Sequence, residues 1–579
     1  MMTIIDIKKI INKNISISKL LPLNGFALWR KVKNHEQLIG ALKKRLLFTC
    51  GCGALLFLFI VIRLVSVMVT SPYKREYQYY NREAVIQKAD ILDRNGELLA
   101  TSIITSSCYA DPSVIIDLTD TVNKLSKIHG MPSADKIMHK LKDSSKHFVW
   151  LARHVHPSIQ NKIMDLGLPG IHFQKDYKRI YIHGLLFSHI IGCTDIDCNG
   201  ICGIEKKFND ELTVKETEDN KLILSLDLRL QTIIREELLN SINKYKAKGA
   251  HAILMKTNGE ILAMVSLPDF DPNNLKKYSN SDMFNRNTLG VFEQGSILKV
   301  LTAAIALDSG SSKLNSIFDA SYPINIGRFK ITDFKGKERP LTLVESIVFS
   351  SNIGCAKIAQ KFGSQIQKEY FKKFGMLNKL SLEIPEIGAP IVPKDWTEVT
   401  CMTVAYGYGI AVSPLQLLTI ITSIVNDGIK VSPTILIKNK VEKGTRIVSS
   451  KTSSLVRELM KAVVIYGTGK KVNMEGIEIF CKTGTAYKRK GKKGYGGSSN
   501  RARLTTFVGG FPKNNPEYML LVSLDEPQGI KETYNYATAG WNVVPTAKNI
   551  ISRLLSWLSD GEKAPSSQLS VEKYIKINK

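Results

Sequence analysis

The 579-residue sequence predicts an α/β protein in three parts. These are a single N-terminal transmembrane helix, an α+β pedestal domain, and a larger domain whose helices sandwich a mostly antiparallel sheet. Three observations lead there. One long uncharged run lies near the N-terminus. The chain changes character near residue 220. Beyond that point, hairpin signals flank long apolar helical stretches. A composition that is 44% hydrophobic and 23% charged excludes a mainly disordered chain, a fibrous repeat and a multi-span membrane protein. Lys+Arg exceeds Asp+Glu by 80 − 52 = 28 charges, which points to an anionic partner or to a Lys-rich solvated surface.

The uncharged run is Leu46 to Ile62, extended past Arg63 by Leu64 to Thr70. Roughly 24 helical residues at about 1.5 Å each span about 36 Å, enough for the hydrocarbon core. Arg63 sits near the distal end, where it can snorkel. Residues 1–45 carry Lys8, Lys9, Lys13, Lys19, Arg30, Lys31, Lys33, Lys43, Lys44 and Arg45 against Asp6 and Glu36. The positive-inside rule therefore keeps a basic tail (1–45) in the cytoplasm, places a single-pass helix at 46–69 in the inner membrane, and exports the rest to the periplasm. A cleaved signal peptide is the alternative, but the run is long and starts late. Export weakens nucleic acid as a partner and favours envelope polymers.

Residues 70–221 read as the pedestal. AVIQKADILDRNGELLATS (84–102) has a strand pattern around an Asn95-Gly96 turn, and a polar helical stretch covers 117–146. Cys193, Cys198 and Cys202 cluster in GCTDIDCNGICG. Three thiols leave open a disulfide, free thiols or a metal, though His183 and His189 lack zinc spacing. With Cys108, Cys355, Cys401 and Cys481, the exported part holds an odd number, so at least one thiol is unpaired within the chain.

Residues 222–560 form the larger domain, and 561–579 a polar, loose tail. A strand runs into an amphipathic helix over 222–245, and an Asn258-Gly259 hairpin occupies 251–268. Later strands are predicted at 477–486, 504–511 and 518–524, and apolar helices around 296–308, 341–362 and 412–426. Three short motifs fall on these elements. Ser296 and Lys299 open the first helix, three apart and so on one face. A serine hydroxyl needs a neighbouring base, and a buried, desolvated lysine can be one. Ser350-Ser351-Asn352 sits in a helix–helix turn after a Thr342/Glu345 capping box. Lys482-Thr483-Gly484-Thr485 ends a strand, where a lysine and two hydroxyls can hold a carboxylate and Gly484 can admit a peptide backbone. Singly, each is a weak signal: a chance S-x-x-K, a polar turn, a strand terminus. Their order within one domain is not.

This triple resembles that of penicillin-binding proteins and class A β-lactamases. The resemblance extends over nearly the whole chain, through DRNGELLA (93–100), FVWLAR (148–153), GIE (203–205), NGEILAMVSLPDFDPN (258–273), VFEQGSILK (291–299), SSNIGCAKIA (350–359), CKTGTA (481–486), TTFVGGFP (505–512) and TAGWNVVPTA (538–547). The chain is most similar to class B penicillin-binding proteins of the cell-division type. It departs at Lys88-Ala89, where Arg-Gly is usual, and at Gln294, where Pro is usual. The first puts a pedestal contact in doubt; the second alters the approach to Ser296. The resemblance implies a D,D-transpeptidase that cross-links peptidoglycan stem peptides in septal wall synthesis. It implies Ser296 as nucleophile, Lys299 as base, Ser350 as proton shuttle to Lys482, and Asn352 as amide binder. Lys482, Thr483 and Thr485 would hold the terminal carboxylate, with the N–H groups of Ser296 and Thr485 as oxyanion hole. It implies no metal or organic cofactor, β-lactams as covalent inhibitors, and a septal glycan polymerase and other division proteins as partners.

Competing readings are an elongation-type enzyme, a β-lactamase or β-lactam sensor, and a silent envelope scaffold. The β-lactamase E-x-x-L-N has only Phe374-Gly375-Met376-Leu377-Asn378 as a candidate, with Phe in place of Glu. No glycosyltransferase signature is present. Finally, Tyr487 to Arg503 holds seven basic residues, four glycines and no acid, which reads either as a solvated loop or as an electrostatic collar beside the cleft.

Overall fold

The computed structural model describes residues 25–70, 87–214, 221–327, 329–438, 444–488, 502–558 and 571–575. Helix α1, Gly25–Thr70, is 46 residues long. Its segment Leu42–Ser66 has a mean hydropathy of 2.3 and is long and apolar enough to cross a membrane. Leu46, Phe48, Leu55, Phe57 and Phe59 along it are all exposed. A continuous apolar surface of this kind suits lipid rather than water. The helix begins well before residue 46, so the span is the distal part of a longer rod.

The body starts with a sheet of β1 (Asp90–Leu92), β2 (Leu98–Ala110), β3 (Val149–Val155), β4 (Ile171–Tyr181) and β5 (Lys221–Ile223). The long β2 pairs antiparallel with β4 from Ala100↔Tyr181 to Ala110↔Ile171, and with β3. β5 runs parallel to β1, so residues 221–223 complete this sheet. The predicted helical stretch is two helices, Leu118–Ser126 and Ala134–Leu141. Their apolar faces bury Val122, Leu125, Ile137 and Leu141 against Cys108 and Leu151. At the predicted turn, Asp93 Oδ1 accepts from the N–H of Asn95 (2.7 Å) and of Glu97 (2.9 Å). Its other oxygen accepts from Leu228 N at 3.0 Å, and Asn95 Nδ2 donates to Asp227 at 2.8 Å. The turn thereby clasps the N-terminus of α2, Leu228–Tyr245.

The contact placed in doubt at Lys88 is made. Lys88 is buried, 3.4 Å from Glu205 and 2.9 Å from Asn209 Oδ1. Arg179 holds the other Glu205 oxygen at 2.7 Å and the Ala89 carbonyl at 2.9 Å. The small Ala89 lies beside a guanidinium that satisfies its carbonyl, so the substitution is absorbed.

The central sheet comprises β6 (Gly249–Lys256), β7 (Ile261–Leu267), β8 (Phe480–Tyr487), β9 (Arg503–Phe511) and β10 (Tyr518–Asp525), in the order β7-β6-β10-β9-β8, all antiparallel. Both faces are buried, which is why β6, β7 and β10 read as mainly apolar runs rather than as an apolar–polar alternation. Leu520 and Val522 pack with α2 and α8 (Val543–Leu558) on one face. Met519 and Leu521 face the opposite layer. That layer contains α3 (Lys299–Asp308), α4 (Leu343–Val348), α5 (Asn352–Phe374), α6 (Pro414–Val425) and α7 (Ser450–Tyr466). Strand β8 starts three residues later than predicted, and α7 and α8 were not read from the sequence. Most of the predicted tail lies outside the described residues. Within 571–575, however, Val571 is fully buried and Thr342 Oγ1 donates to the Tyr574 carbonyl at 2.9 Å, so this part is packed rather than loose.

Candidate active site

The three motifs converge where α3, the α4–α5 turn and edge strand β8 meet. Ser296 lies in a short 3₁₀ turn, Gly295–Leu298, and the α-helix proper begins at Lys299. The predicted helix start is therefore one turn of tighter helix, which still carries serine and lysine on one side. The capping box is present as read: Thr342 and Glu345 bond reciprocally, at 3.0 Å each way. It starts α4, whose end leads into Ser350. Ser350 adopts a left-handed conformation, φ 57°, which costs a non-glycine residue about 1–2 kcal/mol. That turn separates α4 from α5.

Ser350 Oγ is the junction of the site. Lys299 Nζ donates to it at 3.2 Å and Lys482 Nζ at 3.0 Å. Two donors fill the two lone pairs of a hydroxyl, leaving its own proton to be given to a third group. Lys299 Nζ also donates to the Ser350 carbonyl at 2.6 Å and to Asn352 Oδ1 at 2.7 Å. Lys482 Nζ bonds the Thr483 carbonyl at 3.1 Å. Both lysine side chains are wholly buried. Burial holds Lys299 down to about 8. It holds Lys482 down to about 7, with repulsion from Lys299 adding to the effect. Two cations sharing one hydroxyl away from water cannot both keep their protons near neutrality, so the pair titrates as a unit.

Above the lysines lies a cleft of about 430 Å³ lined by Ser296, Ser350, Asn352, Thr483 and Thr485. Thr483 Oγ1 is hydrogen-bonded to Thr468 Oγ1, and Thr485 Oγ1 accepts from Ala539 N at 3.1 Å. Lys299 and Lys482 lie beneath the wall rather than on it. Gly484 also has a role within the fold itself. A Cβ there would lie 2.6 Å from the Gln294 carbonyl and 2.8 Å from Ile297 Cγ1. The bare Cα makes room for the protein's own Ser296 turn, which any side chain would push off the strand. Gln294 itself is buried and donates to the Val412 carbonyl at 3.3 Å.

Sequence reasoning missed Asp333. Its carboxylate accepts from Ser351 Oγ (2.6 Å), from Asn352 N and from Ile353 N (3.1 Å). It thus satisfies two of the orphan donors at the start of α5 and fixes the turn that carries Ser350. It also missed the aromatic wall of Tyr408, Tyr536 and Trp541, with Lys471 Nζ 3.4 Å over the Trp541 ring. Asp333 sits in a polar loop with no motif around it. Trp541 was visible only inside TAGWNVVPTA. The basic stretch after β8 lies at 489–501 outside the described residues. Its first member, Lys488, is paired with Asp525 at 2.7 Å and Glu526 at 3.0 Å, so it is a strand anchor.

Residues 249–552, more than half of the chain, match the model of the penicillin binding protein transpeptidase domain, and residues 87–220 match the penicillin-binding protein dimerisation domain. The chain belongs to the penicillin-binding protein transpeptidases. Among named relatives of this transpeptidase is the probable peptidoglycan D,D-transpeptidase FtsI of Caulobacter vibrioides, 30% identical over 483 residues, which cover 81% of each chain. The peptidoglycan D,D-transpeptidase FtsI of Escherichia coli is 29% identical over 546 residues, 88% of this chain and 92% of that one. The same fold occurs in penicillin binding protein 3 of Mycobacterium tuberculosis complexed with aztreonam. There the TM-score is 0.64 at 21% identity, over 83% of the transpeptidase chain and 98% of the other.

Proposed function

We propose that this chain is the peptidoglycan D,D-transpeptidase of septal wall synthesis, working through Ser296. The transpeptidase class itself follows from the family match and its relatives. The septal role is supported by FVWLAR, SSNIG and TAGWN and by relatives named FtsI. The observation that carries the site assignment is the double acceptance at Ser350 Oγ beneath a cleft that also exposes Ser296.

In acylation, neutral Lys299 takes the Ser296 proton as Oγ attacks the penultimate D-Ala carbonyl of a stem peptide. The Ser296–carbonyl bond forms, the peptide C–N bond breaks, and the released D-Ala amine receives a proton relayed through Ser350. In transfer, an amine on a neighbouring stem attacks the ester, gives its proton back along the same relay and frees Ser296. Because Lys482 lies under the cleft, its geometry fits proton transfer and a positive field more closely than direct contact with a carboxylate. Thr483 and Thr485 on the wall are the groups that hold the carboxylate, and Asn352 holds the amide. The N–H groups of Ser296 and Thr485 receive the oxyanion; a donor of this type is worth roughly 3 kcal/mol. β-Lactams enter as substrate mimics and leave a stable ester.

The protein is membrane-anchored by α1. The ten basic residues before residue 46 support a cytoplasmic N-terminus and a periplasmic catalytic domain. We assign residues 70–221 to the pedestal and 222–560 to the catalytic domain, and the septal glycan polymerase and division proteins as partners. Labelling with a fluorescent penicillin tests the reaction. A label that persists is the expected outcome. Rapid loss of label means a β-lactamase, and no label means a scaffold. Reporters fused after residues 40 and 75 test orientation: only the second is expected to be active in the periplasm.

A further inference from the structure

We propose that Cys193 and Cys202 are a redox pair that closes to a disulfide, stapling the pedestal hairpin on which the catalytic domain rests. The sequence left three thiols undistinguished. The fold distinguishes them. Cys193–Thr194 and Gly200–Cys202 form a two-stranded antiparallel hairpin in which Cys193 lies directly opposite Cys202. Directly opposed residues in such a pair stand about 4.5–5.5 Å apart at Cα, inside the window a disulfide requires. Their sulfurs are already 3.1 Å apart in the reduced form.

The surrounding backbone holds them there. A Cβ on Gly192 would fall 2.0 Å from the Cys202 carbonyl, and one on Gly203 would fall 2.6 Å from Gly192 N. Both glycines have φ values that side chains disfavour, 79° and 64°. The absence of side chains at both positions therefore lets the two arms approach closely enough to bring the sulfurs together. Cys198 is turned elsewhere. It sits at the hairpin tip, and its buried Sγ donates to the Tyr177 carbonyl of β4 at 3.3 Å. Among the described residues no group of three or more His, Cys, Asp or Glu is placed to hold a metal ion. A pair of thiols, not a metal cluster, is what this geometry offers.

The two sulfurs differ in a way that sets the order of events. The hydrogen bond the two thiols share lowers the Cys202 thiol and raises that of Cys193. Cys202 is also the less buried of the two. Its thiolate attacks a disulfide of an exported dithiol–disulfide oxidoreductase, one sulfur of which leaves as thiolate. The Cys193 thiolate then attacks the Cys202 sulfur of the mixed disulfide and expels the second. Two protons and two electrons pass from the cysteine pair to the oxidant, which ends as a dithiol.

The position gives the bond a purpose. Immediately after Cys202, Gly203 N donates to both carboxylate oxygens of Glu386, at 3.2 and 3.3 Å, and Glu386 belongs to the catalytic domain. A few residues before Cys193, His189 Nε2 is 2.9 Å from the Asp282 carbonyl, and Asn285 Nδ2 donates to the His189 carbonyl at 3.1 Å. The segments flanking both arms of the hairpin thus contact the catalytic domain, and a bond between the arms fixes the junction against local opening.

The test uses the full chain in detergent, so it does not depend on the membrane orientation. The protein is incubated with oxidised glutathione, alkylated under denaturing conditions and cleaved before Asp195 and Asp197, which separates Cys193 from Cys202. The expected product is a linked pair of peptides joining Cys193 to Cys202, with Cys198 alkylated. The link should survive Cys198→Ser and disappear in Cys202→Ser. Reduction should lower the melting temperature of the wild type and leave that of Cys202→Ser unchanged, while both proteins still bind fluorescent penicillin. Alkylation of both Cys193 and Cys202 after oxidation, or a link through Cys198, overturns the proposal.

Discussion

Replacing Asp333 by Ala isolates how the catalytic turn is held. The carboxylate accepts three hydrogen bonds, from Ser351 Oγ, Asn352 N and Ile353 N. Bonds to a charged acceptor are worth about 1.5–3 kcal/mol each when deleted against nothing. Here water can replace part of them, because the loop at 332–338 is largely exposed. Ser351 Oγ also remains to cap Gly354 N at 2.9 Å. The net loss is then that of a helix cap, about 1–2 kcal/mol of stability. Geometry suffers more. Ser350 is held in a strained left-handed conformation, and all three acceptors of Lys299 Nζ, the Ser350 carbonyl, Ser350 Oγ and Asn352 Oδ1, ride on this turn. Relaxation of the turn should slow acylation by about 10- to 100-fold, or roughly 1.4–2.8 kcal/mol. Asp333→Asn keeps an acceptor for the two backbone N–H groups and should lose less. The Asp333 charge also raises the Lys299 pKa, so both variants should move the acid limb of the rate profile to lower pH. The assay is the second-order rate of labelling by fluorescent penicillin across pH, alongside thermal melting. A folded Asp333→Ala protein that acylates within about twofold of wild type would refute the argument, because the turn would then be holding itself.

Three further outcomes are expected. Ser296→Ala should remove covalent penicillin binding with an unchanged melting curve, and Lys299→Ala should slow acylation by about 10²–10⁴; a stable adduct on the first would move the nucleophile elsewhere. Since the base must be neutral, and Lys299 and Lys482 are lowered to about 8 and about 7, acylation should fall about tenfold per unit below roughly pH 7 and level off above roughly pH 8–9; a flat profile between pH 5 and 7 contradicts a lysine base. Changing Lys490, Lys492, Lys493 and Arg501 to Gln should weaken binding of polymeric peptidoglycan, most at low salt, and leave acylation by soluble penicillin intact; equal losses would mean that the segment shapes β8 instead.

The sequence alone determined much of this protein. Chain-local physics decides whether a run is long and uncharged enough to cross a membrane, where Asn-Gly turns a hairpin, and where Thr342 and Glu345 cap a helix. The strands at 249–267 and 503–525 and the break at Ser350 were legible for that reason. The three motifs were legible only as an ordered set, since each alone is ordinary. What lay between distant segments was not. Gly484 reads as room for a substrate backbone; that its missing side chain also accommodates the Gln294 carbonyl, nearly 200 positions earlier, emerges only in the fold. Asp333 carries no local signal, because its partners are the N–H groups of a helix start that the fold brings to it. The double acceptance at Ser350 and the lowered lysines require α3, the α4–α5 turn and β8 to meet away from water. Likewise, three cysteines within ten residues become one opposed pair and one outlier only once hairpin register is set. Spacing along a chain fixes which residues share an element, but distance, burial and charge coupling belong to the packed whole.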